Sequence, residues 1–133
     1  ERTRMSTLRV VNRTRGAVVG SRVQVADRFW SRLRGFLGRP QPAPGEGLLL
    51  TPCDGVHMFG MRFPLDVVFL TDDGTVVHLV EALRPWQRTP RVSRARAVLE
   101  VPIGTLGRTG TMVGDRLGWD DLELATPLAR RSA

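Results

Sequence analysis

A chain of 133 residues with 41% hydrophobic and 25% charged side chains has the size and balance of one globular domain, which excludes a disordered or fibrous chain. Its single cysteine, Cys53, excludes an internal disulfide, and no apolar run approaches the roughly 18 residues that a membrane-spanning helix needs. The net charge of +7 is carried by arginine without lysine and is uneven: residues 1–39 hold ten arginines against Glu1 and Asp27, while residues 40–133 hold ten against eleven acids.

Residues 1–4 precede Met5, the expected natural start, and read as an upstream addition. The basic start is not followed by the apolar stretch of a secretory signal, so the visible chain is expected in the cytoplasm, or exported if a signal has been removed. Leu8–Asn12 and Arg22–Ala26 are rich in β-formers and read as short strands separated by Gly16 and Gly20. Asp27 then suits the N-cap of a helix over Arg28–Leu37. Phe29, Leu33, Phe36 and Leu37 fall on one stripe of that helix, with Arg28, Arg32 and Arg39 away from it. Gly38 stops it, and Pro40, Pro42 and Pro44 prevent its continuation. Such a helix can rest on a membrane surface, but the plainer expectation is that it covers a sheet with its apolar face and solvates its arginines.

The rest of the chain reads as strands. Gly47–Thr51 is a short buried run, and Val56–Met61 is an apolar run broken by Gly60. Asp66–Thr71 and Thr75–Val80 flank Asp72-Asp73-Gly74, a hairpin signal in which glycine takes the positive-φ position. Neither run alternates cleanly, so both of its faces are expected to be covered. Arg84–Arg96 reads as an exposed crossing loop, Ala97–Val101 as a strand stopped by Pro102 and Gly104, and Arg116–Trp119 and Leu122–Leu124 as closing strands after the Gly114-Asp115 turn. No repeat and no linker divides residues 1–133, so a single domain is expected. Short strands punctuated by glycine and proline predict a mainly β fold: a compact antiparallel barrel or jelly-roll-like sandwich with one amphipathic helix near the N-terminus.

Several motifs recur in a recognisable order: Arg34-Gly35-Phe36-Leu37-Gly38-Arg39, Glu46-Gly47-Leu48-Leu49, His57-Met58-Phe59-Gly60-Met61, Pro64 to Leu70 with Asp73-Gly74, Leu99-Glu100-Val101-Pro102 with Gly104, and Gly114-Asp115. In this order the chain resembles the bacterial and archaeal domain-of-unknown-function family 192, over roughly Val10 to Trp119. The resemblance implies a mostly antiparallel, jelly-roll-like β fold with a helix near the start, no established activity, and relatives of which many are exported. Where many relatives resemble Trp-Met-Lys-Asn-Thr, this chain has Phe59-Gly60-Met61-Arg62-Phe63 and lacks the Asn-Thr pair.

Cys53, His57 and His78 are the soft-ligand and nucleophile candidates. Cys53 with His57 can form a thiolate–imidazolium pair, against the commoner fate of a lone cysteine as a buried inert thiol. His57 and His78 can meet on neighbouring strands, but catalytic zinc would need a third ligand such as Asp66 or Glu100. His78 sits within Val76–Val80, where a core histidine is the simpler reading. Asp66 and Glu100 stand among apolar strand residues and need partners, for which Arg34, Arg39 and Arg62 are natural.

The leading functional expectation is a non-enzymatic β module that binds an unknown small ligand or protein partner on a concave face near His57, Met61, Arg62 and Asp66, without a cofactor. Two others stand beside it: a metal- or thiol-dependent enzyme using His57 with Cys53 or His78, and a binder of anionic surfaces through Arg28, Arg32, Arg34 and Arg39. The basic N-terminal third has a plainer use as well, in neutralising the acidic Asp115, Asp120, Asp121 and Glu123 region. No nucleic-acid module signature is present in the sequence, so nucleic acid is not the expected partner.

Overall fold

The structure is a computed structural model that describes residues 7–26, 41–53, 55 and 63–122. The Val- and Leu-rich runs form seven strands: β1 (Thr7–Asn12), β2 (Ala17–Ala26), β3 (Glu46–Leu50), β4 (Leu65–Leu70), β5 (Val76–Leu83), β6 (Ala97–Pro102) and β7 (Leu117–Asp121). A short helix, α1 (Thr105–Thr109), joins β6 to β7. Among the described residues the strands form one sheet, in the order β5-β4-β6-β3-β2-β1-β7, curled into a half-barrel. The mainly β architecture expected from the sequence is therefore present as a single wrapped sheet.

One pairing departs from a wholly antiparallel barrel. β2 and β3 run parallel, with Arg22 to Ala26 in register against Glu46 to Leu50. Parallel neighbours cannot be joined by a tight turn, and residues 27–45 separate the two strands in the chain. The expected helix Arg28–Leu37 falls within that interval and lies outside the described residues, as does the expected strand Val56–Met61.

Curling gives the sheet two apolar faces. The inner face carries Val10, Val19, Val23, Leu49, Val68, Leu70, Leu99, Val101 and Leu117, drawn from β1, β2, β3, β4, β6 and β7. The outer face carries Leu48, Leu50, Leu65, Val67, Phe69 and Val98, with Phe63, Leu83 and Ala95 against them. β4 is central to both, and all six of its residues are buried. This explains why its sequence does not alternate: each face of the strand meets a core, and burial of each of its five apolar side chains contributes roughly 1.5–3 kcal/mol.

The sheet is tied back on itself at one point. Thr75 forms an isolated antiparallel bridge with Arg116, Val76 N donates to Asp115 O at 2.8 Å, and Leu117 N donates to Gly74 O at 2.8 Å. The approaches to β5 and β7, the two outer strands of the sheet, are thereby hydrogen-bonded to each other. Gly74 permits this contact: its φ of 88° suits glycine, and any Cβ there would collide with the Leu117 carbonyl oxygen.

Candidate functional site

Seven residues expected to carry function, Arg28, Arg32, Arg34, Arg39, His57, Met61 and Arg62, lie outside the described residues. Cys53 is half-buried, its thiol donating to the Gly55 carbonyl at 3.1 Å. His78 is half-buried on β5 and packs against Phe69 of β4, with ring centroids 5.3 Å apart and planes tilted by 57°. Among the described residues, no group of three or more His, Cys, Asp or Glu side chains could hold a metal ion.

Asp66 is a brace. Its position in β4 turns the carboxylate away from the outer face that Leu65 and Val67 share, and it is only 1% exposed. One oxygen accepts from Ala82 N at 2.9 Å, and the other from Gly104 N at 3.1 Å and Leu106 N at 3.0 Å. The second pair satisfies amides at the start of α1, where Gly104 has no side chain to cap the helix. The first fixes Ala82 at a φ of 54°, a left-handed conformation that a non-glycine residue rarely adopts. The described partners of Asp66 are thus all backbone amides, and the arginines expected to brace it lie outside the described residues.

Glu100 has a different environment. It stands on β6 in register with Leu48 of β3 and Val67 of β4, two members of the outer apolar cluster, and is 7% exposed. Loss of water around the carboxyl pushes its pKa up to about 7.

The sequence places Asp115 in a turn and in the acidic region facing the basic N-terminal third, but it does not reveal the buried polar cluster built on this residue. Asp115 accepts from Arg15 Nε at 2.8 Å and Arg15 Nη2 at 3.1 Å, from Asn12 Nδ2 at 3.0 Å, and from Met112 N at 3.0 Å. The hydrogen bond from Arg15, followed by those from Asn12 and Met112, outweighs the effect of burial and holds the Asp115 pKa down to about 2. Asn12 also donates to Thr111, whose hydroxyl meets that of Thr109 at 2.7 Å. No short motif reveals this group, because Asn12 and Asp115 meet only once β1 pairs with β7. The pairing also places Arg9 opposite Asp120, so part of the N-terminal basic charge does face acidic residues.

At the mouth of the half-barrel lies an open cleft of about 260 Å³. Its floor is apolar: Leu8 from the start of β1, Val25 from the end of β2, Leu49 from β3 and Ala97 from the start of β6. Trp119 of β7 forms a wall, and Thr51, Thr71, Asp72, Arg96 and Asp121 supply a polar rim with both signs of charge. Strand direction gathers these residues, since β2, β3, β4 and β7 finish where β1 and β6 begin. A second depression of about 380 Å³ beside α1, lined by Leu79, Glu81, Leu106 and Met112, is more open and has neither an aromatic wall nor a basic group.

Known proteins match most of the chain. The family model DUF192, described as an uncharacterised conserved family, matches residues 10–119. A UPF0127 protein of Thermococcus sibiricus is 32% identical over 118 residues, covering 84% of this chain and 74% of its own. A UPF0127 protein of Pyrococcus abyssi is 32% identical over 116 residues, covering 83% of this chain and 96% of its own. The fold resembles the crystal structure of a protein of unknown function from Novosphingobium aromaticivorans, with a TM-score of 0.73, 23% identity, and coverage of 86% and 85% of the two chains. The chain belongs to the DUF192 family.

Proposed function

We propose that this DUF192 domain is a non-enzymatic binding module whose small ligand sits in the cleft at the barrel mouth. One observation carries the reading: six strands deliver an apolar floor, one aromatic wall and a rim of hydroxyls and opposite charges to the same 260 Å³ space. Barrel mouths are a common place for ligand sites, and an apolar body with a few placed polar groups is their usual chemistry. The ligand class that suits this lining is a compact molecule with an apolar part for Leu8, Leu49 and Trp119. It would carry an anionic or hydrogen-bonding group for Arg96, Thr51 and Thr71. Asp66 supports this module from beneath by holding α1 and the end of β5, and the binding role expected for it passes to the rim.

The test is a fragment screen followed by protein NMR. Fragments carrying a carboxylate on a small apolar ring are expected to shift the amide signals of Leu8, Leu49, Ala97 and Trp119. Val25→Phe, which fills the floor from a half-buried position, is expected to abolish those shifts while leaving the fold intact. Shifts confined to other surfaces, or undiminished in Val25→Phe, would remove the proposal.

A further inference from the structure

The connection from β5 to β6 carries an exposed tryptophan among arginines. Between Leu83 and Ala97 the chain carries Arg84, Arg88, Arg91, Arg94 and Arg96 and no acidic residue, and all five arginines are exposed. The connection opens with a four-residue turn, in which Gln87 N donates to Arg84 O at 3.0 Å and Arg84 N donates to Gln87 Oε1 at 2.8 Å. Pro85 holds the second position of this turn and Trp86 the third, at a φ of 70°. A proline followed by a positive-φ residue is the type II arrangement, and its third position ordinarily belongs to glycine or asparagine. A bulky residue there is a backbone outlier that costs free energy. The Trp86 ring is presented to solvent, 67% exposed.

We infer that this connection docks the domain on an anionic lipid surface, with Trp86 entering the headgroup region and Arg84, Arg88 and Arg94 engaging lipid phosphates. Tryptophan is the side chain most suited to that boundary, having a large apolar ring and one N–H donor. Clustered arginines are drawn to acidic headgroups, and each contributes to binding within a Debye length of the surface. A single exposed ring at a turn apex suits a continuous surface. Single-stranded nucleic acid calls for successive stacking platforms, and the 84–96 connection has no second aromatic residue. Arg96 is set apart, because its guanidinium donates to Ser93 O and Ala95 O and it lines the mouth cleft. The inference therefore stands independently of the ligand proposed for that cleft.

The experiment is co-sedimentation of the full chain with vesicles of phosphatidylglycerol in phosphatidylcholine, against phosphatidylcholine alone. Binding is expected only to the anionic vesicles and is expected to weaken steeply with added salt. Trp86→Gly, which gives the turn the residue it favours, is expected to keep a cooperative thermal melt and to lose binding about tenfold. The combined change Arg84→Gln, Arg88→Gln and Arg94→Gln is expected to cost at least about tenfold. Equal binding to both vesicle types would overturn the proposal, as would a Trp86→Gly variant that binds like the parent. Capture of the chain from anionic vesicles by a single-stranded oligonucleotide, with Trp86→Gly weakening that capture, would overturn it in favour of nucleic acid.

Discussion

The Arg15 guanidinium grips both carboxylate oxygens of Asp115, at 2.8 and 3.1 Å, across 100 residues of sequence. This pair fastens the turn after β1 to the loop before β7, and it ties the folded state to the ionised form of Asp115. Removing the carboxylate also takes away the acceptor for one hydrogen bond of the Asn12 amide and for the Met112 N–H. Asp115→Ala is expected to cost about 2–4 kcal/mol, read from urea unfolding at neutral pH.

The same residue sets an acid limit. Its pKa of about 2 lies below the ordinary 3.8, so the native state binds fewer protons than the unfolded chain in that interval. The stabilisation is complete above pH about 4 and is lost as the pH falls toward 2. Asp73, held at about 2 chiefly by the hydroxyls of Thr71 and Thr75, acts in the same direction. Asp115→Asn is expected to flatten the stability curve over that interval, and a variant as acid-sensitive as the parent would contradict the assignment.

Glu100 works with the opposite sign. A folded pKa near 7 against an ordinary 4.5 means that the native state holds the proton longer than the unfolded chain. Its contribution is fully present below pH 4.5 and declines as the pH rises through 7, by up to about 3 kcal/mol. Glu100→Gln is expected to remove this slope, so that the variant's advantage over the parent grows between pH 4 and pH 8 in paired thermal melts.

Asp66 can be tested amide by amide. Asp66→Ala leaves the N–H groups of Ala82, Gly104 and Leu106 without their acceptor and is expected to cost about 2–4 kcal/mol. Hydrogen exchange is expected to accelerate first at those three positions, ahead of the β1–β7 ladder. Uniform acceleration across the sheet would show that the brace is not local.

Gly74 guards the junction of the outer strands. Gly74→Ala places a methyl group against the Leu117 carbonyl at a φ of 88°, with an expected cost of at least about 2 kcal/mol. NMR is expected to show the damage concentrated at Thr75, Val76, Arg116 and Leu117. Gly16, whose φ is 69° but which has open space around it, is expected to tolerate alanine better.

Local chemistry made much of the sheet legible. The Asp72-Asp73-Gly74 turn, the Val-rich runs beside it and the stop at Pro102 are short-range signals, and β4, β5 and β6 formed close to where those signals point. β5 continues past Val80 to Leu83 because Asp66 secures Ala82 in a conformation that propensity alone disfavours. The parallel β2–β3 pair was invisible because strand direction depends on a crossover rather than on the strands themselves. The candidate site suffered more from this limit. Leu8, Leu49, Ala97 and Trp119 are unremarkable along the chain and become a cleft only through register.

The ladder between β1 and β7 joins Leu8 to Asp121 and Asn12 to Leu117, so the earliest described strand has the latest as its neighbour. A nascent polypeptide emerging from a ribosome therefore cannot finish this sheet until the segment through Asp121 has emerged. Until then β1 presents a bare edge, and a chaperone or a premature partner would find it there.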